Sequence, residues 1–593
     1  MSSLETVGEQ PDERSPRGPS RAPSDDPSRA EDATAVVRGP TQGTSSSRRD
    51  RIVAVGVPTL VLALHTAFYG PWIEDDAGIT FAYARSLATG AGPVLQPGAE
   101  PVEGYSNPLW LAILVVGRAV GLFDHGAWFG VPDLVLFPKL VALGCAAAMF
   151  AVLFGVARSV ARRPVALTVA AGTVTALVPS FAIWTTSGLE NALYALLVVA
   201  LGGCLAQAAI AGHLLDRRVA VVAGALAGLA ALTRPDGLLY VAAYPLVVGL
   251  LHAGRPGQVV RSSTWSVGAA LVPVGAYLVW RVATFGDWLP NTARAKRQGL
   301  PGPTDLLRPA ELVTYTGWLA VLVAVGAVAV VITRPSRVRT VVGVLLVPLA
   351  LALTAFAVLP PDWMEQNRFA TPVWPLGAFV AVLAVTDAWR GVGRRGRAIT
   401  AVAGALAMVV SATAWIEAAD AFRRDPTAPL CFVAASVGMR VNEYADVLRV
   451  RDGTLLAVDG GGTALTSRLR FVDLSGLADA RIAELWRQQD ARGLRDHVFE
   501  GVRPTFFKID GGWAGAARSG LLADPRLARD YVLLIAPNPG SGTWVRRDAV
   551  PDPESLAAAR RRAAEGFART DAPYLRGDRT AWICGSTLRP PSP

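Results

Sequence analysis

Runs of about twenty apolar residues, separated by short polar stretches, fill the chain from residue 52 to residue 416. A helix rises 1.5 Å per residue, so a run of that length crosses the roughly 30 Å hydrocarbon core of a bilayer. The pattern predicts an α-helical polytopic membrane domain over residues 51–419. Its eleven or so spans are expected at residues 52–70, 133–158, 164–184, 188–211, 219–233, 237–253, 264–284, 311–333, 339–358, 371–389 and 398–416.

The apolar run at residues 109–120 is an exception, because about a dozen residues are too few to cross a bilayer. If this run were a span, Arg158, Arg162 and Arg163 would face outward, against the tendency of Lys and Arg to remain on the cytoplasmic side. We therefore expect an interfacial helix at this place in the first outer loop.

The pattern changes near residue 420. Residues 420–593 alternate short apolar stretches, at 454–458 and 531–535, with helical patterns, at 478–489 and 555–568, which predicts a C-terminal α/β domain. The glycine run 460–462 lacks the Lys and Ser/Thr of a phosphate loop and is interpreted as a turn. Residues 1–50 contain almost no large apolar side chain and are expected to form a disordered cytoplasmic tail.

The distribution of charged residues predicts which loops face the cytoplasm and which face outward. Arginine clusters separate alternate spans, whereas the opposite loops are rich in Asp and Glu, so the acidic loops are predicted to face outward. With a cytoplasmic N-terminus and an odd number of spans, the C-terminal domain is also extracytoplasmic. A hydrophobic content of 52% excludes an ordinary soluble protein. The net charge of +10 follows membrane topology, so we expect the cytoplasmic membrane and its lipids as surroundings, and no nucleic acid.

Three carboxylates, Glu74, Asp75 and Asp76, follow the first span directly and begin a weakly amphipathic helix that ends near Gly90. Desolvation at a membrane boundary raises the pKa of a carboxylate and makes it a suitable general base for a sugar hydroxyl. Asp75 and Asp76 are therefore the candidate catalytic residues. The alternative is that Asp75 caps the helix and its neighbours favour the helix dipole.

The other outer loops mix hydrogen-bonding groups, aromatic rings and cations. The candidate sugar and acceptor ligands are Glu103, Tyr105, Asn107, Glu190 and Asn291. The candidate ligands of a lipid-linked phosphate are Lys296, Arg294, Arg234 and Arg368. The alternative for each cation is contact with lipid headgroups or neighbouring carboxylates.

The cysteines and the remaining ionisable residues show no spacing typical of a metal site. No cofactor is expected, although a divalent cation could assist. Cys431 and Cys584 lie near the two ends of the C-terminal domain and could form a disulfide if that domain is exported; two unpaired buried thiols are the alternative.

Six segments, in this order, resemble the polyprenyl-phosphate-dependent glycosyltransferases of the GT-C fold, and within them the arabinofuranosyltransferases of actinobacterial cell-wall synthesis. They are DDAGITFAYARSLATG, VEGYSNPLW, SGLENALYALL, LTRPDG, FGDWLPNTARAK and NRFATPVWP. The resemblance covers residues 70–375 and extends weakly to FVDLSGLADARIA. One departure is Ala293-Arg294-Ala295 after the PNT motif, where the family often has an aromatic residue, and this affects how the donor is seated.

The resemblance implies a decaprenyl-phosphate arabinofuranose donor and a cell-wall arabinan acceptor. It matches Asp75 or Asp76 to the acidic pair of the first outer loop and Lys296 to the lysine after PNT. A transferase for another sugar such as mannose, and a transporter of lipid-linked sugar, are the alternatives. Transporters tend to place charged groups at mid-membrane, whereas here the acids crowd one surface, which favours surface chemistry.

Overall fold

A computed structural model describes residues 47–296, 302–509, 511–513, 515, 518–538, 540–578 and 584. The predicted disordered tail lies outside the described residues, except for residues 47–50. Ser47 caps the first helix: its hydroxyl accepts a hydrogen bond from the Asp50 amide, and the Asp50 carboxylate accepts one from the Ser47 amide. This reciprocal pair satisfies two amides that a helix N-terminus would leave free.

Sixteen helices, some of them short, are described between residues 47 and 424, a range in which residues 297–301 are not described. They are α1 (Arg48–Ala67), α2 (Asp75–Ala88), α3 (Pro108–Ala119), α4 (Asp133–Val160), α5 (Pro164–Leu177), α6 (Pro179–Thr185), α7 (Asn191–Ala211), α8 (Arg217–Thr233), α9 (Ala243–Leu251), α10 (Pro256–Phe285), α11 (Asn291–Ala295), α12 (Pro309–Thr316), α13 (Trp318–Ile332), α14 (Arg337–Val358), α15 (Val373–Arg390) and α16 (Arg394–Arg424). A 3-10 helix of 8 residues occupies Pro235–Ala242, and single 3-10 turns occupy Asp305–Leu307 and Arg368–Ala370.

Every predicted span coincides with a helix or with two consecutive helices. Seven described helices, α1, α4, α7, α10, α14, α15 and α16, are long and apolar enough to cross a membrane, and the count rises to nine if the bent pairs α5–α6 and α12–α13 each form one span. The bends measure 79° and 106°. Pro179 begins α6 and cannot continue the hydrogen-bond ladder of α5, and Gly317 has a positive φ of 94° between α12 and α13. The two other predicted spans are α8, with 17 residues, and the shorter apolar segment Pro235–Leu251, which contact each other. A total of eleven spans therefore stays a prediction.

The first loop contains α2, the short apolar helix α3, and a two-stranded antiparallel hairpin of β1 (Ala127–Trp128) and β2 (Val131–Pro132). Helix α2 ends close to the predicted break, and Gly90 has a φ of 80°. Helix α3 has only 12 residues, as expected from its short apolar run, and its location at a membrane interface stays a prediction.

The described residues of the C-terminal region include a mixed five-stranded sheet in the order β4-β3-β5-β7-β6. Strand β3 pairs in parallel with β4 and β5, whereas β7 pairs antiparallel with β5 and β6. The strands are β3 (Thr454–Ala457), β4 (Arg470–Asp473), β5 (Phe506–Ile509), β6 (Tyr531–Asn538) and β7 (Ser541–Arg546). The predicted α/β class is confirmed, because parallel neighbours need helical crossovers. The predicted boundary at residue 420 falls inside α16.

The helices of this region are α17 (Leu430–Val433), α18 (Met439–Val447), α19 (Gly461–Thr466), α20 (Ala480–Gln488), α21 (Ala491–Asp496), α22 (Pro525–Asp530), α23 (Pro553–Gly566) and α24 (Ala572–Leu575). Short π-helical turns lie at Ala434–Gly438, His497–Val502 and Phe567–Asp571, and 3-10 turns at Gly511–Trp513, Leu521–Ala523 and Arg547–Ala549. Helix α19 connects β3 to β4 and packs against α2, so the sheet region contacts the acidic start of the first loop.

Candidate active site at the start of the first loop

The three acidic residues after α1 begin helix α2. Glu74 is its N-cap, and Asp75 and Asp76 are its first two residues. Consecutive side chains on a helix point about 100° apart, so the three carboxylates face different surroundings. Glu74 and Asp75 are buried, at 0% and 3% exposure, whereas Asp76 is partly exposed. The structure therefore distinguishes two aspartates that the sequence presents as a pair.

The backbone of the acidic stretch is held from two sides. The Asp75 amide donates to the Ala428 carbonyl at 2.9 Å, and the Leu430 amide donates to the Ile73 carbonyl at 2.9 Å. On the other side the Glu74 amide donates to the Ser187 carbonyl at 3.0 Å. The stretch is thus fixed in place by segments more than a hundred residues away along the chain.

The Asp75 carboxylate is occupied by the C-terminal region. Its two oxygens accept hydrogen bonds from the backbone amides of Gly461 at 3.1 Å and Gly462 at 2.7 Å. Burial raises the pKa of Asp75 well above its usual value, the charge of Asp459 raises it further, and the two amides oppose the shift. The prediction of a turn at residues 460–462 is wrong: Gly460 is the N-cap of helix α19, and Gly461 and Gly462 are its first two residues. We call this first helical turn the glycine turn, and the anion at its amides is an aspartate of the same chain.

Asp76 faces a different set of groups. Burial raises its pKa, the cations Lys296 and Arg368 act in the opposite direction, and the carboxylates of Asp362 and Glu190 raise it again. Within the part of the chain that the structure describes, the Asp76 carboxylate forms no hydrogen bond or ion pair. A partly exposed carboxylate that has no hydrogen bond or ion pair among the described residues, and that two cations influence through their charge, is available to a ligand. We call Asp76 together with Glu190, Arg234, Lys296, Asp362 and Arg368 the loop cluster.

Two arginines of the loop cluster stack on one aromatic ring. The guanidinium carbons of Arg234 and Arg368 lie 4.7 and 4.9 Å from the centroid of Phe369. Arg368 pairs with Asp362 through Nε and Oδ2 at 2.7 Å, and both side chains are largely buried. The ring holds two like charges close together, and the carboxylate partners offset their repulsion.

Glu190 connects the cluster to the first loop. Its Oε1 lies 3.1 Å from Nη1 of Arg234, and its Oε2 accepts a hydrogen bond from the Asn107 amide at 2.8 Å. The Asn107 side-chain oxygen accepts one from the Thr80 hydroxyl at 3.3 Å. Thr80 follows Asp76 by four residues and so lies on the same face of α2. Asn107 and Glu190 therefore line the surface that Asp76 faces.

Glu103 and Tyr105 belong to a second polar group. The Glu103 carboxylate pairs with Arg281 at 2.6 Å and accepts a hydrogen bond from the Tyr277 hydroxyl at 2.6 Å. Tyr105 is buried with its ring 5.0 Å from that of Tyr83. Sequence reasoning missed Arg281 and Tyr277 because both lie inside a predicted span; the signal that could have found them is an arginine within an apolar run. Sugar contacts by Glu103 and Tyr105 stay predictions.

The three candidate residues around α11 have different surroundings, and Lys296 is the one whose charge acts on Asp76. Asn291 is buried and donates both amide hydrogens to backbone carbonyls, of Gly476 at 2.7 Å and Leu477 at 2.9 Å, so its NH₂ group has none left for a sugar. Arg294 pairs with Asp287 at 2.5 Å and is 37% exposed. Lys296 is exposed at the end of α11, and among the cations it acts most strongly on Asp76.

Cys431 and Cys584 are joined by a disulfide, with their Cα atoms 5.1 Å apart. Cys431 directly follows Leu430, one of the residues that hold the acidic stretch. The disulfide thus links Cys584 covalently to the segment that contacts the acidic stretch of the candidate site. Cys145 and Cys204 are free.

No group of three or more His, Cys, Asp or Glu side chains placed to share a metal ion occurs among the described residues. The assistance of a divalent cation stays a prediction.

Known proteins are similar to this chain in structure but not in sequence. No family model and no curated protein matches the sequence. ArnT from Cupriavidus metallidurans, in a crystal structure bound to undecaprenyl phosphate, is similar with a TM-score of 0.50 and 14% identity, over 86% of this chain and 100% of its own. Archaeal oligosaccharyltransferase AglB from Archaeoglobus fulgidus, in complex with an inhibitory peptide and a dolichol-phosphate, has a TM-score of 0.49 at 11% identity, over 86% and 76% of the two chains. Arabinosyltransferase EmbB from Mycobacterium smegmatis has a TM-score of 0.37 at 16% identity, over 87% and 41%.

The described helices and the likeness to ArnT define the class. The chain is a multi-pass membrane protein with a GT-C-type fold and a C-terminal α/β region. At 14% identity the likeness shows the fold alone, and the activity is argued from the site.

Proposed function

We propose that this protein is a membrane glycosyltransferase that moves a sugar from a polyprenyl-phosphate carrier to a glycan acceptor, with Asp76 as the carboxylate at the reacting atoms. The observation that carries the proposal is the Asp76 carboxylate, which is partly exposed, has no hydrogen bond or ion pair among the described residues, and is influenced by the charges of Lys296 and Arg368. The fold shared with ArnT, whose structure holds undecaprenyl phosphate, supports a lipid-linked phosphate as the donor.

The reaction forms one bond and breaks another. The acceptor hydroxyl oxygen bonds to the anomeric carbon of the sugar, and the bond from that carbon to the phosphate oxygen breaks. Asp76 takes the hydroxyl proton, and its raised pKa makes it a stronger base. The polyprenyl phosphate leaves with the electron pair of the broken bond, and Lys296 and Arg368 stabilise the charge that develops on it.

The proposed donor is decaprenyl-phosphate arabinofuranose, and the proposed acceptor is the non-reducing end of arabinan in arabinogalactan or lipoarabinomannan. Support comes from the six sequence segments, which resemble most the terminal β-(1→2) arabinofuranosyltransferase AftB. If donor and product are both β, configuration is retained, whereas a single in-line displacement inverts it. A front-face reaction with Asp76 as the base satisfies retention. So does a covalent route, in which the Asp76 carboxylate first bonds to the anomeric carbon and displaces the polyprenyl phosphate; the acceptor oxygen then bonds to that carbon, the bond to Asp76 breaks, and the released carboxylate takes the hydroxyl proton. Mass spectrometry of the protein after a single turnover separates the two routes.

The test uses the full chain purified in lipid nanodiscs, supplied with radiolabelled decaprenyl-phosphate arabinose and an arabinan oligosaccharide. Asp76→Asn is expected to lower transfer by about 10²- to 10⁴-fold, the usual contribution of a general base. The matched control is Asp216→Asn, since the Asp216 carboxylate is 59% exposed and far along the chain from the candidate site. Equal transfer by wild type and Asp76→Asn would exclude the assigned role. Preferential transfer of mannose would keep the reaction class and change the sugar.

A further inference from the structure

The C-terminal region reaches helix α2 through its glycine turn. Gly461 and Gly462, at the start of α19, lie 386 and 387 residues from Asp75 in the sequence and donate their amides to its carboxylate. No other hydrogen bond of this carboxylate is formed among the described residues. Asp75 is 3% exposed, so it is shielded from any substrate that reaches Asp76.

The two helices approach each other too closely for side chains. A Cβ atom on Gly461 would lie 1.7 Å from the carbonyl oxygen of Asp75, and one on Gly78 would lie 2.8 Å from the Cα atom of Gly461. Neither neighbour is the end of a flexible side chain, so a methyl group at either glycine must move a backbone. The contact between α2 and α19 therefore fixes the position of α2, because it leaves no room for even one additional methyl group.

The opposite side of the turn is equally close. A Cβ on Gly462 would lie 2.4 Å from the Ala434 amide nitrogen and 2.6 Å from the Leu430 carbonyl oxygen. Leu430 is also the residue whose amide binds the Ile73 carbonyl, next to the Cys431–Cys584 disulfide. The turn is consequently held between α2 and the 428–434 segment, and displacement of one side is passed to the other.

We propose that Asp75 is a positioning residue, and that the C-terminal glycine turn, by holding its carboxylate, fixes the rotation and height of α2 so that Asp76 faces Lys296 and Arg368. The inference rests on the proposed function, because it gives Asp76 the reacting role. Asp75 and Asp76 are consecutive on one helical turn, so a rotation of α2 that released Asp75 would turn Asp76 away from its cations. The C-terminal region is then a part of the catalytic apparatus.

The test compares Gly461→Ala and Asp75→Asn with Gly512→Ala in the purified full chain. Gly512→Ala is the matched control, since a Cβ there meets nothing within 4 Å. Asp75→Asn adds no bulk, but its NH₂ group is a hydrogen-bond donor and cannot accept a hydrogen bond from a backbone amide of the glycine turn. We expect both test variants to lower kcat about 10- to 100-fold, since a misplacement of about 1 Å costs on the order of 10²-fold. The KM for the donor should change less than twofold, and Gly512→Ala should behave as wild type.

Two further measurements separate positioning from direct catalysis and from misfolding. The acidic limb of the kcat–pH profile should persist in Asp75→Asn and disappear in Asp76→Asn; its disappearance in Asp75→Asn would overturn the proposal. Hydrogen exchange of the α2 amides needs no substrate and should rise in Gly461→Ala and Asp75→Asn. Unchanged exchange in both variants, or a wild-type kcat in Gly461→Ala, would also overturn it. If wild type transfers no sugar, the proposed function fails, while the exchange measurement still decides whether the turn holds α2.

Discussion

Arg234 is the cation shared by two buried carboxylates, and its removal is expected to destabilise the protein strongly. Its guanidinium lies 3.1 Å from Glu190 and 3.0 Å from Asp236, and all three side chains are less than a tenth exposed, so water screens these pairs weakly. Arg234→Met leaves both carboxylates without a cation. Removing one partner of a buried pair costs about 3–5 kcal/mol. Hydrogen bonds from Asn107 to Glu190 and from Tyr194 to Asp236 remain, so the expected loss stays within that range.

The assay is equilibrium unfolding of the purified protein in detergent micelles with increasing denaturant. Arg424→Met is the matched control, because Arg424 makes the same kind of pair with Asp420 at 70% and 50% exposure. Exposed pairs contribute about 0–1 kcal/mol, so the control should lose little. The double variant Arg234→Met/Glu190→Gln should lose less than the sum of its single variants, because it removes one uncompensated charge. Equal losses in Arg234→Met and Arg424→Met would refute the reasoning.

Three further predictions concern stability. Glu74 is fully buried, and burial, followed by repulsion from Asp76 and Asp75, raises its pKa well above 4.5, against Arg368 and the Asp76 amide. As pH rises, Glu74 ionises in the unfolded chain before it does so in the folded protein, so it lowers the free energy of unfolding increasingly from pH 4.5 up to its folded pKa. The stability of Glu74→Gln relative to wild type should therefore increase with pH in unfolding curves measured from pH 4 to 8. A difference that does not change with pH contradicts this prediction. Cys431→Ser opens a disulfide with a sequence separation of 153 residues and should lower the free energy of unfolding by about 4–5 kcal/mol in the chain-entropy model, whereas Cys145→Ser, at a free cysteine, should cost clearly less in the same assay. Asn291→Ala leaves two backbone carbonyls without their donor and should cost about 1–3 kcal/mol; a loss of sugar transfer with unchanged stability would instead assign Asn291 to substrate.

The helices were predictable because the length and apolarity of a membrane helix are properties of a local stretch. The boundaries of the apolar runs at 133–158 and 339–358 agree with those of α4 and α14 to within a few residues, and the short run at 109–120 corresponds to the 12-residue helix α3. The predicted strands at 454–458 and 531–535 became β3 and β6 for the same reason. The sheet order was not predictable, since β3 pairs with β4 and β5 through contacts that the sequence does not record.

The candidate site likewise has features that the sequence predicts and features that depend on tertiary structure. The sequence by itself determined that Asp75 and Asp76 begin a helix directly after the first span, and that Arg234, Lys296 and Arg368 occupy loops between apolar runs. Only the tertiary structure decided which aspartate is engaged, because the partners of Asp75 are the amides of Gly461 and Gly462, whereas Asp76 faces Lys296 and Arg368. The physical reason is that local spacing fixes the direction of a side chain on its helix, while the identity of the group it meets depends on how distant segments pack.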